Sequence, residues 1–271
     1  MNTEAIIEKI TDGIKKNTDT AVIGLSGGAD SFLVMLLCEI ALGKENVYTF
    51  SMPYSTTDLE TFNNKSRMYA EHIGVHHKTI NIAAAADGIS TSVSDAVSSD
   101  NDDTISTLNA GNARSRARMC FLYGVAHHLN ETLDNRVRVM GTGNLSEDFI
   151  GYDTKGGDAL ADIFPIGHLF KSEVYALLDH FRDQGKITDE MINRVPSAGL
   201  WENQTDEDEL GHSYNQMEPA IRFIMKNYTI IEESTLSDIE LFVWRRHITN
   251  KHKHEAPPII VLRDDKGKLI I

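Results

Sequence analysis

Basic charge is scarce in this chain. Its 271 residues carry 26 Lys and Arg against 40 Asp and Glu, a formal net charge of −14. Nonspecific binding to a nucleic-acid backbone rests on neutralising phosphates with Lys and Arg, so a nucleic-acid partner is not expected. An acidic protein still binds a small phosphate ligand where a metal ion and local basic residues supply the positive field. Cysteine is scarcer still. Cys38 and Cys120 form no C-x-x-C spacing, which leaves neither a disulfide framework nor a zinc site and fits a reducing, cytoplasmic setting. No apolar run is long enough to span a bilayer, and Met1-Asn2-Thr3-Glu4 opens neither a basic n-region nor an apolar leader, so no membrane attachment is expected. Repeats and dividing linkers are missing too, and residues 1–271 read as one domain with room for a large core.

What the chain does have is Gly24-Leu25-Ser26-Gly27-Gly28-Ala29-Asp30-Ser31. Ala21-Val22-Ile23 before it reads as a buried strand, and the apolar run 32–42 after it as a buried helix. A strand, a Ser/Gly turn and a helix N-terminus make an anion site, because the glycines admit close backbone approach and the first-turn N–H groups point outward. The turn lacks the Gly-Lys-Ser/Thr ending of a Walker loop and the G-x-G-x-x-G of a dinucleotide fingerprint. Instead it places Asp30 inside the phosphate cradle, which makes sense where a divalent cation bridges that carboxylate to the phosphates.

Around this turn, helices are predicted at 4–16, 57–73 and through 111–129, and strands at 47–52, 78–82 and 136–140, with a polar link over 129–135. An Ala-rich helix follows the third strand, and a polar, acidic loop lies at 98–103. Strands alternating with helices argue for a doubly wound, mainly parallel α/β sheet with helices on both faces, and ligands in such sheets sit beyond the strands' carboxyl ends. On the 111–129 helix, Arg114 and Arg118 share one face and Arg116 lies roughly opposite, so the three cannot all do one job.

The last strand leads into a second rich stretch: Gly141-Thr142-Gly143-Asn144-Leu145-Ser146-Glu147, then 151–158 and 162–167. So many glycines and acids in one irregular run cannot hide in a core, and a loop this long in a compact domain is usually functional. Lys171 then opens a helix with Val174, Leu177, Leu178 and Phe181 facing inward. Short helical patterns follow near 187–194, 216–227 and 238–249. The tail Asn250-Lys251-His252-Lys253-His254 alternates His with Lys. Lysines repel a cation, so a phosphate or carboxylate site is favoured there over a metal tract.

SGGADS is the signature of the PP-loop ATP pyrophosphatases, which cleave ATP between the α- and β-phosphates and adenylate a substrate. Together with GNARSRARM, GTGNLSE, GYDTKGGDALADIFPIGHLFK, PSAGLW and the HK…PP tail, in that order over residues ~20–258, the chain resembles the NAD synthetases. The resemblance implies an adenine nucleotide alpha hydrolase-like fold and a homodimer. It also implies conversion of deamido-NAD, ATP and ammonia to NAD, AMP and pyrophosphate. Gly24, Leu25, Ser26, Gly27, Gly28, Ala29, Asp30 and Ser31 would then hold the ATP phosphates, with Thr142, Lys171 and Ser197 as further ATP contacts. Asp30 and Glu147 would bind Mg2+, a hard cation suited to oxygen donors. Arg116, Lys155, Asp162, His252 and Lys253 match deamido-NAD contacts, and Asp158 matches the acid near ammonia. Lys171 would stabilise charge on the leaving pyrophosphate, which makes Asp158 and Lys171 the expected catalytic pair.

One departure from the family pattern stands out: the usual His-Lys-Arg tail reads His252-Lys253-His254, exchanging a fixed cation for a titratable one. The rival readings are another PP-loop adenylating amidotransferase and a tRNA-modifying enzyme. The latter would normally bring a basic patch, an RNA-binding appendage or paired cysteines. Glutamine-dependent members of the family carry a separate amidase domain ahead of the synthetase domain. Here 25 residues precede Ser26, so free ammonia is the expected nitrogen source, with a glutaminase acting in trans left open.

Overall fold

In the computed structural model, residues 1–97, 106–192 and 206–263 are described, with only the backbone of 56–64. Four strands, β1 (Thr20–Gly24), β2 (Val47–Ser51), β3 (His76–Thr79) and β4 (Val137–Met140), form one sheet in the order β3-β2-β1-β4, every pairing parallel. The expected doubly wound fold is the one observed.

Helices cover both faces because the β1 side chains alternate. Ala21 and Ile23 point into a core with α1 (Thr3–Asn17), α2 (Ala29–Leu42), α3 (Thr56–Ile73) and α7 (Lys171–Asp183). Val22 points the other way, under α4 (Ala83–Val97) and α5 (Thr107–Leu133), with Val137 and Val139 of β4. Helix α2 is apolar all round and buried from Phe32 to Cys38, as the run at 32–42 predicts. Its burial pushes the Cys38 thiol far above its ordinary value and leaves it inert. A third core joins α6 (Leu145–Ile150), α10 (Tyr214–Asn227) and α11 (Asp238–Asn250). The short α8 (Asp189–Ile192) and α9 (Asp206–Leu210) lie before α10 in the chain.

The sheet order sets the position of the site. After β1 the chain steps outward to β2 and β3, then returns to the other side of β1 with β4. The carboxyl ends of β1 and β4 therefore flank the switch point, where a crevice opens in sheets of this kind. The turn after β1 is Leu25–Gly28 and the turn after β4 is Gly141–Asn144, so two stretches more than a hundred residues apart meet.

Three sequence expectations shift. Strand β3 lies at His76–Thr79, not 78–82. Helix α5 runs to Leu133, through the stretch read as a polar link, and ends where Asp134 adopts φ 50°. The run after β4 contains the helix α6. The acidic loop 98–103 lies outside the described residues.

Candidate active site

The cradle is built by β1 and α2. Leu25 N–H continues the strand pairing to Phe50 O at 2.9 Å, and Gly27 then turns with φ +79°, a conformation suited to glycine. Ser26 and Ser31 brace the turn, their hydroxyls 3.1 Å apart, while Ser31 Oγ donates to Gly28 O and Gly28 N–H donates to Ser26 Oγ. Gly28 is the N-cap of α2 and contributes no side-chain acceptor, so the first turn presents its N–H groups to the crevice.

From the neighbouring strand, Asn144 is fully buried and caps α6 by accepting from Glu147 N–H at 3.1 Å. Its Nδ2 donates to Asp30 Oδ1 at 2.9 Å, which fixes the cradle carboxylate. Lys171, the first residue of α7 and 4% exposed, reaches both acids. Its Nζ lies 2.6 Å from Asp30 Oδ2 and 2.8 Å from Glu147 Oε1. Buried Asp206 stands near, accepting from Tyr214 O–H at 3.1 Å.

Two acids thus meet one ammonium, with Asp206 close enough to act on Glu147. Burial opposes the charge on Lys171, but Asp30 and Glu147 outweigh it and raise the lysine well above its ordinary value. Burial also drives Glu147 upward, with Asp30 and Asp206 adding to the effect against the pull of Lys171. Further positive charge in the site would favour ionised Glu147. Carboxyl oxygens of Asp30 and Glu147 beside the Ser26–Ser31 turn are a donor set that suits Mg2+.

A second station lies across the crevice on α5. Asp158 Oδ1 accepts from Ser115 Oγ at 2.7 Å and from Thr154 N–H at 2.9 Å. Thr154 Oγ1 is tied in turn to Asn112. Gly157 lets the turn come this close, since a Cβ there would run into the Ser115 hydroxyl. Burial raises the Asp158 carboxyl above its ordinary value. Beside it, Lys253 Nζ donates to the carbonyls of Gly151 and Asp153. His254 Nε2 lies 2.6 Å from Asp153 Oδ2. Asp148 completes a trio with Asp153 and His254 whose potential ligand atoms lie within 4.8 Å of one another. The His254–Asp153 ion pair already occupies that trio. The tail histidine is thus held by a carboxylate of its own chain.

The crevice is a cavity of about 500 Å³. Its wall brings together Gly24, Leu25, Ser26, Gly28, Ala29, Asp30, Ser31, Thr142, Glu147, Asp158, Lys171 and Lys253. Gly27, Arg116, Lys155, Asp162 and His252 are not on that wall, and Ser197 lies outside the described residues. Three of the outlying residues still form a chain. Arg116 Nε donates to Lys155 O at 3.2 Å, and Lys155 Nζ donates to His252 O at 2.7 Å. Asp162 closes the end of the sheet by accepting from Val139 N–H at 2.8 Å. Burial first, then Asp162, pushes Tyr123 up to about 12.

The arginines of α5 divide as helical geometry requires. Arg114 stacks on Tyr54, its guanidinium carbon 3.7 Å from the ring centroid, and Arg118 Nε donates to Met52 O on the cavity wall. Arg116 turns away to Lys155. Sequence reasoning missed Asn144, Ser115 and Asp153. For Asn144 a signal was present, since Asn three residues ahead of Glu147 at a helix start is a capping pattern.

A parallel sheet whose first strand feeds an SGGADS cradle bearing Asp30, with Glu147 delivered after the adjacent strand, defines an α/β enzyme of the PP-loop class that works on ATP. More narrowly, the chain belongs to the NAD synthase family, whose family model matches residues 2–257. The NH(3)-dependent NAD(+) synthetase of Methanosarcina acetivorans is 38% identical over 249 residues, 90% of this chain and 91% of that one. Among solved structures, an NMN synthetase from Francisella tularensis superposes with TM-score 0.76 at 26% identity, covering 96% of this chain and 99% of that one. An NH3-dependent NAD synthetase from Campylobacter jejuni superposes with TM-score 0.70 at 26% identity, covering 96% and 100%. No helix among the described residues is long and apolar enough to cross a membrane.

Proposed function

We propose that this chain amidates deamido-NAD (nicotinate adenine dinucleotide) with ammonia, using ATP and releasing AMP and pyrophosphate. We read residues 1–271 as a single cytoplasmic synthetase domain that pairs as a homodimer. The observation that carries the reading is the meeting of Asp30, Glu147 and Lys171 beside the Ser26–Ser31 cradle.

The reaction is two displacements. An oxygen of the nicotinate carboxylate attacks the α-phosphorus of ATP, the bond to pyrophosphate breaks, and an acyl-adenylate forms. Ammonia then attacks the acyl carbon, AMP leaves with the bonding pair, and one proton is lost from nitrogen. Backbone N–H groups of the cradle, with Thr142 and Ser197, hold the triphosphate, and Lys171 faces the charge that grows on the leaving group. Asp30 and Glu147 would hold Mg2+, which when bound neutralises phosphate charge. Asp158 takes a proton from ammonium. Its Oδ1 is committed to Ser115 and Thr154, so we assign the transfer to Oδ2, and the raised affinity for protons that burial gives it suits a base. The chain Arg116–Lys155–His252, with Asp162 and Lys253, is assigned to deamido-NAD reaching over the 151–158 turn. No protein nucleophile is required, so catalysis rests on positioning and charge.

Pyrophosphate release from ATP should depend on deamido-NAD, and ammonium salts should support NAD formation, faster as pH rises and free ammonia increases. The match to an NMN synthetase supports a second reading, in which a mononucleotide is amidated. Running the same assay with nicotinate mononucleotide separates the two. Absence of pyrophosphate release with either acid would overturn both.

Two variants probe the amidation side. Asp158→Ala should lower NAD formation about a hundredfold while leaving single-turnover pyrophosphate release within about threefold. Equal losses in both steps would remove Asp158 from the ammonia step. His254 is held above its ordinary value by its hydrogen bond to Asp153, against burial, and Asp148 raises it while Lys253 lowers it. Its positive charge therefore persists at low pH and is lost as pH rises through that raised value. Affinity for deamido-NAD should weaken over the same rise, and His254→Arg should abolish that step. Parallel calorimetric pH profiles of the two proteins would refute it.

A further inference from the structure

We propose that Glu218 is a positioning residue for the pyrophosphate-release centre, holding Glu147 and Lys171 in register from the C-terminal helices. Glu218 lies on α10, 6% exposed, and its carboxylate points at the junction of α6 and α7. Oε1 accepts from Ser146 Oγ at 3.1 Å and from Ser172 N–H at 2.9 Å, and Oε2 accepts from Ser172 Oγ at 2.5 Å. Ser146 Oγ in turn accepts from Lys171 N–H at 3.0 Å. Ser146 directly precedes Glu147 and Ser172 directly follows Lys171. One carboxylate on a third helix therefore fixes the backbone on either side of the two residues that meet at 2.8 Å.

The arrangement answers a specific electrostatic difficulty. Lys171 is the first residue of α7, and the positive end of a helix dipole is where a buried ammonium is least favoured. Glu218 supplies a carboxylate to that same end and accepts from one of its N–H groups, that of Ser172, while Lys171 N–H goes to Ser146 Oγ. The grip is repeated one turn along α10. Arg222 stacks on Phe170, the N-cap of α7, with its guanidinium carbon 3.7 Å from the ring centroid, and pairs with Glu173 at 3.2 Å. Helix α10 thus holds the start of α7 through Glu218 and Arg222.

This inference rests on the role proposed above for Lys171, so the experiment separates the two. Glu218→Gln keeps the shape but cannot accept at both oxygens. It should lower kcat for deamido-NAD-dependent pyrophosphate release about tenfold or more, with KM for ATP within about twofold and the melting temperature within a few degrees. Glu218→Asp, which restores the acceptors on a shorter arm, should recover part of the rate. Ser172→Ala, which removes one donor, should move kcat the same way by a smaller factor. A wild-type kcat in Glu218→Gln, while Lys171→Met is inactive, would overturn the positioning role and leave the function intact. A wild-type rate in Lys171→Met would remove the function assigned to Lys171 itself. Should Glu218→Gln lose rate only as fast as it unfolds, or fail to fold, an unchanged kcat in folded Ser172→Ala overturns the proposal and a reduced one supports it.

Discussion

Asp30→Asn should cut pyrophosphate release about a hundredfold or more, which is about 3 kcal/mol of barrier. Both oxygens of Asp30 are committed, Oδ1 to Asn144 and Oδ2 to Lys171. An amide of the same shape can accept from one of these donors, but its NH2 then faces the other. The substitution also removes a charge from the set proposed to hold Mg2+, so positioning and electrostatics fail together. The fold should survive. Asp30 sits in the first turn of α2, where loss of a carboxylate costs about 0.3–1 kcal/mol of dipole interaction; Lys171 loses one of its two acids but keeps Glu147, and the packing of α2 rests on its apolar residues. Pyrophosphate release and thermal melting on the same preparation test both parts. Activity near that of the parent would sink the assignment of Asp30.

The cradle and its partners were legible in the sequence because each is a local signal. A buried strand, a Ser/Gly turn with an acid and an apolar helix are read within about 20 residues. What escaped detection is what depends on the sheet. Strand β3 is polar, its side chains alternating between exposed and half-buried at one edge, so it has no apolar pattern to find. Its pairing is helped by cross-strand contacts. His77 bonds Thr49 and Ser51, and His76 stacks on Tyr48 at 4.5 Å. The apolar Ile80 and Ile82, which drew the expected strand onto 78–82, still bond back to Ser51 O and Pro53 O, and Ile82 is buried under α4.

Helix α5 outran its expected end for a related reason. Polar residues within 129–135 suggested a link, yet Asn130 Nδ2 donates to Val137 O and its Oδ1 accepts from Val137 N–H, tying the helix to β4. Bonds from the helix to the strand that follows it support a stretch whose own pattern is a poor helix signal. Asn144, Ser115 and Glu218 belong to the same class. Their partners across the site lie 43 to 114 positions away, and no reading window along the chain contains both.

Lys171→Met should show the largest change, a loss of pyrophosphate release of about a thousandfold together with a destabilised fold. The catalytic part follows from removing a preorganised charge aimed at the leaving group, an effect of about 2.7–4 kcal/mol for a single donor. The stability part follows from what stays behind. Asp30, Glu147 and Asp206 would share a buried site with no ammonium, and breaking a buried ion pair from one side typically costs about 3–5 kcal/mol. The sign of the pH dependence is fixed by Glu147, whose carboxyl already lies above its unfolded value because of burial. A raised acid weakens the fold as pH climbs from the unfolded value through the folded one, and that cost is absent below both. Loss of Lys171 removes the main opposing pull and raises Glu147 further. The stability gap between variant and parent should therefore widen as pH climbs from about 8 to about 10, where Glu147 of the parent ionises while that of the variant keeps its proton. Denaturant melts at several pH values, run without added divalent metal, measure it. A gap that stays constant over that range would show that the carboxylates are not the residues Lys171 neutralises.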